Sequence, residues 1–193
     1  MRRFAGPSGG FPGIHPRFAM RKKWFVLFTK SGEENKLKEA IEHIFPPDEI
    51  KPLIPRRRLM EKRQGKKIEV VRTLFPGYVF INTTMTEETY NNIKKMPVGS
   101  KLLMADLEPA EVPVEEMRPI LKLTGASDII GYSIGIRIGT KVKIIDGPLK
   151  DFEGLIIDVD SRKGRAKVLL DILNETKKVD LGLTVIKNLE AEL

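Results

Sequence analysis

The chain contains no cysteine, which excludes disulfides, thiolate metal sites and a thiol nucleophile. Histidine is almost as scarce. His15 falls in a stretch rich in glycine and proline and His43 falls inside a helical pattern, so no histidine metal site or acid–base pair is expected. No apolar run approaches the ~18 residues that a bilayer-spanning helix needs. Arg2 and Arg3 precede no apolar segment, so the N-terminus does not read as a secretory signal. A soluble monomer in a reducing cytoplasm is the expected form. Neither a G-x-x-x-x-G-K-[ST] phosphate loop nor a G-x-G-x-x-G turn after a strand is present. Asp158 and Asp160 share one strand face, but two carboxylates without a third ligand describe a solvated strand end better than a metal site. These absences point away from catalysis. No enzyme activity, metal or cofactor is expected.

Positive charge, in contrast, is in excess. The 193 residues carry a formal net charge of +8 with a pI near 9.6, and such a balance favours a polyanionic partner, most often nucleic acid. The excess is uneven: residues 21–125 hold 20 basic against 15 acidic residues, whereas residues 140–193 hold ten of each. A basic surface on the C-terminal part must therefore arise by segregation of charge.

In chain order, residues 1–20 have no hydrophobic period and are expected to form a disordered extension. Met20-Arg21-Lys22-Lys23 resembles a natural start, and what precedes it is set aside as extraneous or misassigned sequence. Trp24–Phe28 reads as a buried strand. Ser31 offers an N-cap for an amphipathic helix over 32–45, and Pro46-Pro47 stops it. The segment 51–72 is the most basic in the chain, with Arg56, Arg57, Arg58, Lys62, Arg63, Lys66 and Lys67 among its cations. Gln64-Gly65 marks a turn that makes it a hairpin. That hairpin fits a solvated loop or a surface that contacts phosphates, where neutralisation releases counterions. Thr86 caps a second helix over 87–95, 101–105 is a short strand candidate, and 113–123 reads as a third helix with Pro113 near its first turn. Residues 124–139 carry four glycines and five isoleucines without helical period and read as an apolar linker. Five strands follow, at 142–145, 154–159, 166–170, 177–181 and 184–186, separated by turn residues. The fold expected is α+β: an α/β sandwich over 21–124, a linker over 125–139 and a small five-stranded antiparallel β-barrel over 140–193.

Two stretches stand out. Leu74–Phe80 reads LFPGYVF, in which Pro76 fixes φ, Gly77 permits a backbone angle that other residues resist, and rings follow at 75, 78 and 80. A core strand or a half-exposed docking surface would each account for the rings. Asp146–Gly154 reads DGPLKDFEG and makes a tight connection early in the barrel. LFPGYVF resembles the FPGYV signature of the NusG-like transcription elongation factors. Residues 139–159, GTKVKIIDGPLKDFEGLIIDV, resemble the KOW motif that ends those proteins, and Lys23–Phe28, KWFVLF, resembles their first strand.

The resemblance implies an N-terminal domain that docks on the clamp of RNA polymerase, through Trp24, Phe75, Pro76 and Tyr78, with Phe80 behind them. Leu74 departs conservatively from a family phenylalanine. It also implies a KOW domain that meets ribosomal protein S10 or Rho near Phe152. The segment PRRRLMEKRQGKK (55–67) looks more like specialised antiterminator paralogues of the LoaP subfamily, which bind an RNA hairpin in the leader of their transcripts. In the barrel, Arg162, Lys163, Arg165 and Lys167 surround Gly164, a turn that is either an ordinary exposed hairpin or a clasp for RNA phosphates. Lys143, Lys150, Lys177 and Lys178 would extend that patch if their strands are neighbours. Two alternatives remain: a general elongation factor whose barrel binds proteins only, and a ribosome-associated KOW protein in which LFPGYVF is core.

Overall fold

The structure is a computed structural model that describes residues 21–96 and 99–187. The expected disordered extension at 1–20 lies outside the described residues. The central strand β1 (Lys23–Phe28) is as apolar as its sequence suggests, and its side chains alternate between two cores. It is followed by helix α1 (Glu34–Ile44), strand β2 (Ile50–Leu53) and the long hairpin strands β3 (Arg56–Arg63) and β4 (Lys66–Thr73). Then come β5 (Tyr78–Thr83), helix α2 (Glu87–Lys94) and the short strands β6 (Lys101–Leu102), β7 (Met104–Ala105) and β8 (Glu108–Pro109). Helix α3 (Val114–Thr124) closes this part of the chain.

The first sheet has the order β2-β5-β1-β6, with β1 antiparallel to β5 throughout. Phe25 and Leu27 of β1 and Val79 and Ile81 of β5 face one side, where Leu37 and Ile41 of α1 and Ile93 of α2 bury them. Val26 and Phe80 face the other side, where Met117 and Ile120 of α3 pack. The sheet is thus covered on both faces, which explains why β1 and β5 read as continuous apolar runs. Thr86 caps α2 as expected, its hydroxyl accepting from the Thr89 amide at 3.0 Å. The expected Ser31 cap is corrected. α1 begins at Glu34, with Glu33 at the cap position and no side-chain cap bond. The strand expected over 101–105 is broken at Leu103: β6 pairs with β1, whereas β7 pairs with β8 through a turn in which Asp106 takes a left-handed φ of 54°.

The glycine-rich stretch expected as a linker is also more structured. Gly125–Ser127 form a 3-10 turn, β9 (Ile129–Ile130) runs parallel to the start of β3, and β10 (Ser133–Ile138) enters the second domain. The alternate isoleucines 134, 136 and 138 carry the period of two that makes this a strand. The remaining strands are β11 (Lys141–Asp146), β12 (Ile156–Asp160), β13 (Arg165–Ile172) and β14 (Glu175–Lys187), in the order β11-β10-β14-β13-β12. The barrel therefore has five strands, as expected, but β10 supplies one of them. The two strands expected at 177–181 and 184–186 are one continuous strand, and its pairing with β10 is parallel. Glu153 links the loop before β12 to β11 by accepting from the Ile144 amide at 2.7 Å.

The two domains touch. One continuous apolar cluster runs from Val26, Phe75 and Phe80 through Met117 and Ile120 of α3 to Val168, Leu170 and Ile172 of β13.

Candidate nucleic-acid interface

The Pro-Gly turn before β5 is built around a buried acid. Gly77 has φ +84° and its amide donates to Glu34 Oε1 at 2.7 Å, while the Gly32 amide donates to Glu34 Oε2 at 2.9 Å. The first residue of α1 thus holds two loops, and a Cβ at position 77 would lie 3.0 Å from the Thr29 carbonyl oxygen.

The turn sets the rings. Phe75 is 4% exposed and stacks edge-on to Phe80, with centroids 5.9 Å apart, so it supports the patch from beneath. Pro76 is exposed, and Trp24 and Tyr78 are half-buried. Tyr78 packs edge-on against Phe28 at 4.9 Å, a ring not expected in the patch. The tip of the β13–β14 hairpin, Leu173 to Glu175, lines a hollow beside Phe28, Tyr78 and Leu103. Glu116 of α3 holds that tip, accepting from the Leu173 amide at 2.6 Å and the Asn174 amide at 3.2 Å.

The basic hairpin is a long two-stranded ribbon. Gln64 and Gly65 both take positive φ (48° and 82°), the conformation of a two-residue turn matched to strand twist. Its two acids are already engaged. Glu61 receives Arg72 through two bonds of 2.9 and 2.8 Å and also Arg63 at 3.3 Å, and these partners hold its carboxyl down from 4.5 to about 2. Glu69 pairs with Arg58 at 2.8 Å. Lys62 and Lys67 have no ion pair among the described residues.

The four arginines expected to contact RNA from this segment separate. Arg58 and Arg63 are exposed on the ribbon. Arg56 lies between β4 and β9 with its Nε buried and without a partner. Arg57 reaches the barrel, donating to the Asp180 carbonyl at 2.6 Å, and burial pushes its pKa down against the pull of Asp180. Arg57 is an inter-domain residue in this arrangement.

In the barrel, Arg165 pairs with Asp180 at 3.3 Å and also donates to the Met60 carbonyl of β3 at 3.4 Å. Lys163 pairs with Asp160 at 3.3 Å and Lys167 with Asp158 at 3.8 Å, whereas Arg162 is exposed with no ion pair among the described residues. The Asp160 carboxyl is held below its usual range first by the Lys163 backbone amide. The two basic segments meet. Lys62, Lys67 and Glu61 from the hairpin and Arg162, Lys163 and Arg165 from the barrel line one open cleft of about 910 Å³. Close approach behind it depends on Gly182, where a Cβ would lie 2.5 Å from the Tyr132 ring and 2.8 Å from the Arg58 carbonyl oxygen.

The other expected cations do not line this cleft. Lys143 and Lys150 are exposed on β11 and the turn after it, and Lys178 is exposed on β14. Lys177 hydrogen-bonds Glu175, which raises its pKa, with Tyr78 nearby as a second contribution. Phe152 is half-buried and packs on the barrel core. Among the described residues no group of three or more His, Asp or Glu side chains could hold a metal ion, and no helix is long and apolar enough to cross a membrane.

An aromatic strand entered through Pro-Gly in an α/β sandwich, followed by a small KOW-type barrel, defines a class of two-domain proteins. Residues 22–121 match the family model described as transcription termination factor NusG, and residues 138–171 match the KOW motif. The chain is 31% identical to the transcription termination/antitermination protein NusG of Bacillus subtilis, over 88% of this chain and 100% of that protein. It is 29% identical to the NusG of Thermus thermophilus, over 86% and 98%. A solved structure of Thermotoga maritima NusG, which describes a domain interaction, is similar with a TM-score of 0.52 and 32% identity, covering 85% of this chain and 95% of that one. The chain belongs to the NusG family.

Proposed function

We propose that the protein is a transcription elongation factor of the NusG type that acts as a processive antiterminator on chosen operons. Its first domain docks on the clamp of RNA polymerase through Trp24, Pro76 and Tyr78, with Phe75 as support, and stabilises the closed clamp. Its basic residues hold an RNA hairpin in the nascent leader and so select the transcription complexes that receive the factor. The observation that carries the RNA half is the cleft in which the basic β3–β4 hairpin and the Arg162–Arg165 turn face each other. Cations converging from two elements are what a polyanion requires and what an ordinary solvated turn does not need.

The test is binding of purified protein to a panel of leader hairpins, titrated with salt. Affinity for one hairpin that persists at about 200 mM salt supports the assignment, since purely phosphate-driven binding fades there. Equal weak binding to every RNA contradicts it.

A second function has its own support. Ile134, Ile138 and Ile186 are exposed on the neighbouring strands β10 and β14, an apolar face suited to a protein partner. A general factor that meets ribosomal protein S10 or Rho through its barrel would use such a face. That function predicts no hairpin preference and loss of protein binding in Ile138→Asp.

A further inference from the structure

We infer that the cleft is a single clamp for the phosphate backbone of a base-paired RNA stem, with one jaw on each domain, and that it exists only while the barrel sits on the first domain. This rests on the RNA-binding assignment above and goes beyond it by naming the part of the RNA that is held and the arrangement that holds it.

Three observations lead there. The first is the distribution of free charge. Lys62 and Lys67 on the hairpin jaw and Arg162 on the barrel jaw line the cleft without an ion pair among the described residues. The one hairpin carboxylate that lines it, Glu61, is committed to Arg72 and Arg63. Among the described residues that line the cleft, neither jaw alone offers more than two uncommitted cations. The second is the lining. Among the described residues no aromatic side chain borders the cleft, so they offer no platform on which unpaired bases could stack. A paired stem, recognised by shape and phosphates, is the form of RNA that such a surface suits. The third is what sets the gap between the jaws. Arg165 lines the cleft and at the same time bonds the Met60 carbonyl across the domain boundary. Arg57 bonds the Asp180 carbonyl, and Gly182 lets β14 lie against β3. The spacing of the jaws is therefore a property of the docked pair of domains. By linkage, a stem that spans them favours docking as much as docking favours the stem.

The experiment uses the full chain and a stem-loop RNA with a stem of about 16 base pairs, the length that a double-strand-binding module covers. Lys62→Ala and Arg162→Ala are exposed changes on opposite jaws. Each is expected to weaken binding about fivefold and to make the salt dependence shallower by about one unit of slope. Gly182→Ala, which adds no charge, is expected to weaken stem binding by at least as much. In that background Lys62→Ala and Arg162→Ala no longer act together, because the jaws have separated. A loss confined to one jaw overturns the clamp while leaving RNA binding intact, and so does a single strand of the same composition that binds as tightly as the stem. Failure of the unaltered chain to bind any leader hairpin overturns the RNA assignment itself, and the clamp with it.

Discussion

At the scale of single residues, Glu34 does more than its place in the sequence suggests. The residue is 5% exposed and its carboxylate satisfies the amides of Gly32 and Gly77, so it joins α1 to the turn that aims Tyr78. Glu34→Ala leaves two amides without their acceptor and is expected to lower stability by about 3 kcal/mol, measured by urea unfolding. Pro76 and Gly77 were legible as a special turn because their backbone chemistry is local. The acid that holds the turn was not, since its partner lies 43 residues away. Glu61 gives a second test. Its folded pKa lies below its ordinary value of 4.5, at about 2, with the Arg72 hydrogen bond as the largest cause. The contribution of this pairing to stability is present above the ordinary pKa and is lost as pH falls toward 2. Carboxyl chemical shifts should show a Glu61 midpoint near 2, and Arg72→Ala should move it back toward 4.5.

At the scale of elements, short-range signals served well, the Ser31 cap excepted. The turn at Gln64-Gly65, the Thr86 cap and all three helices follow from residues within a few positions of each other. Thr86→Ala removes the hydroxyl that accepts from Thr89 and should cost about 1 kcal/mol, read as a drop in Tm. The stretch from 125 to 139 shows where such signals mislead. Four glycines suggested a linker, yet β9 and β10 form because Arg56 and β14 offer them partners from distant parts of the chain. Likewise Arg57 reads as one more cation of a basic run. Only the arrival of Asp180, 123 residues later, turns it into a domain contact.

At the scale of the molecule, the β13–β14 hairpin is held at both ends. Arg57 and Arg165 tie its base to β3, while Glu116 caps its tip beside Tyr78 and Phe28. The tip lines the hollow beside Phe28 and Tyr78, so docking of polymerase on that patch, as proposed, would require the tip to move aside. Glu116→Ala loosens the tip without touching the basic cleft. It is expected to increase polymerase capture by the full chain several-fold in a pull-down and, because the Glu116 bonds also hold the barrel on the first domain, to weaken stem binding modestly. Tyr78→Ala should abolish that capture with the fold intact by circular dichroism. An unfolded Tyr78→Ala would instead mark the ring as core.

The most direct measurement is single-round transcription by purified RNA polymerase through a terminator placed downstream of a leader hairpin. Read-through should rise when protein and hairpin are both present, and return to the basal level when the hairpin is replaced by unpaired sequence or when Lys62 and Arg162 are both changed to alanine. Equal read-through with and without the hairpin would show that the protein acts on polymerase without selecting the transcript.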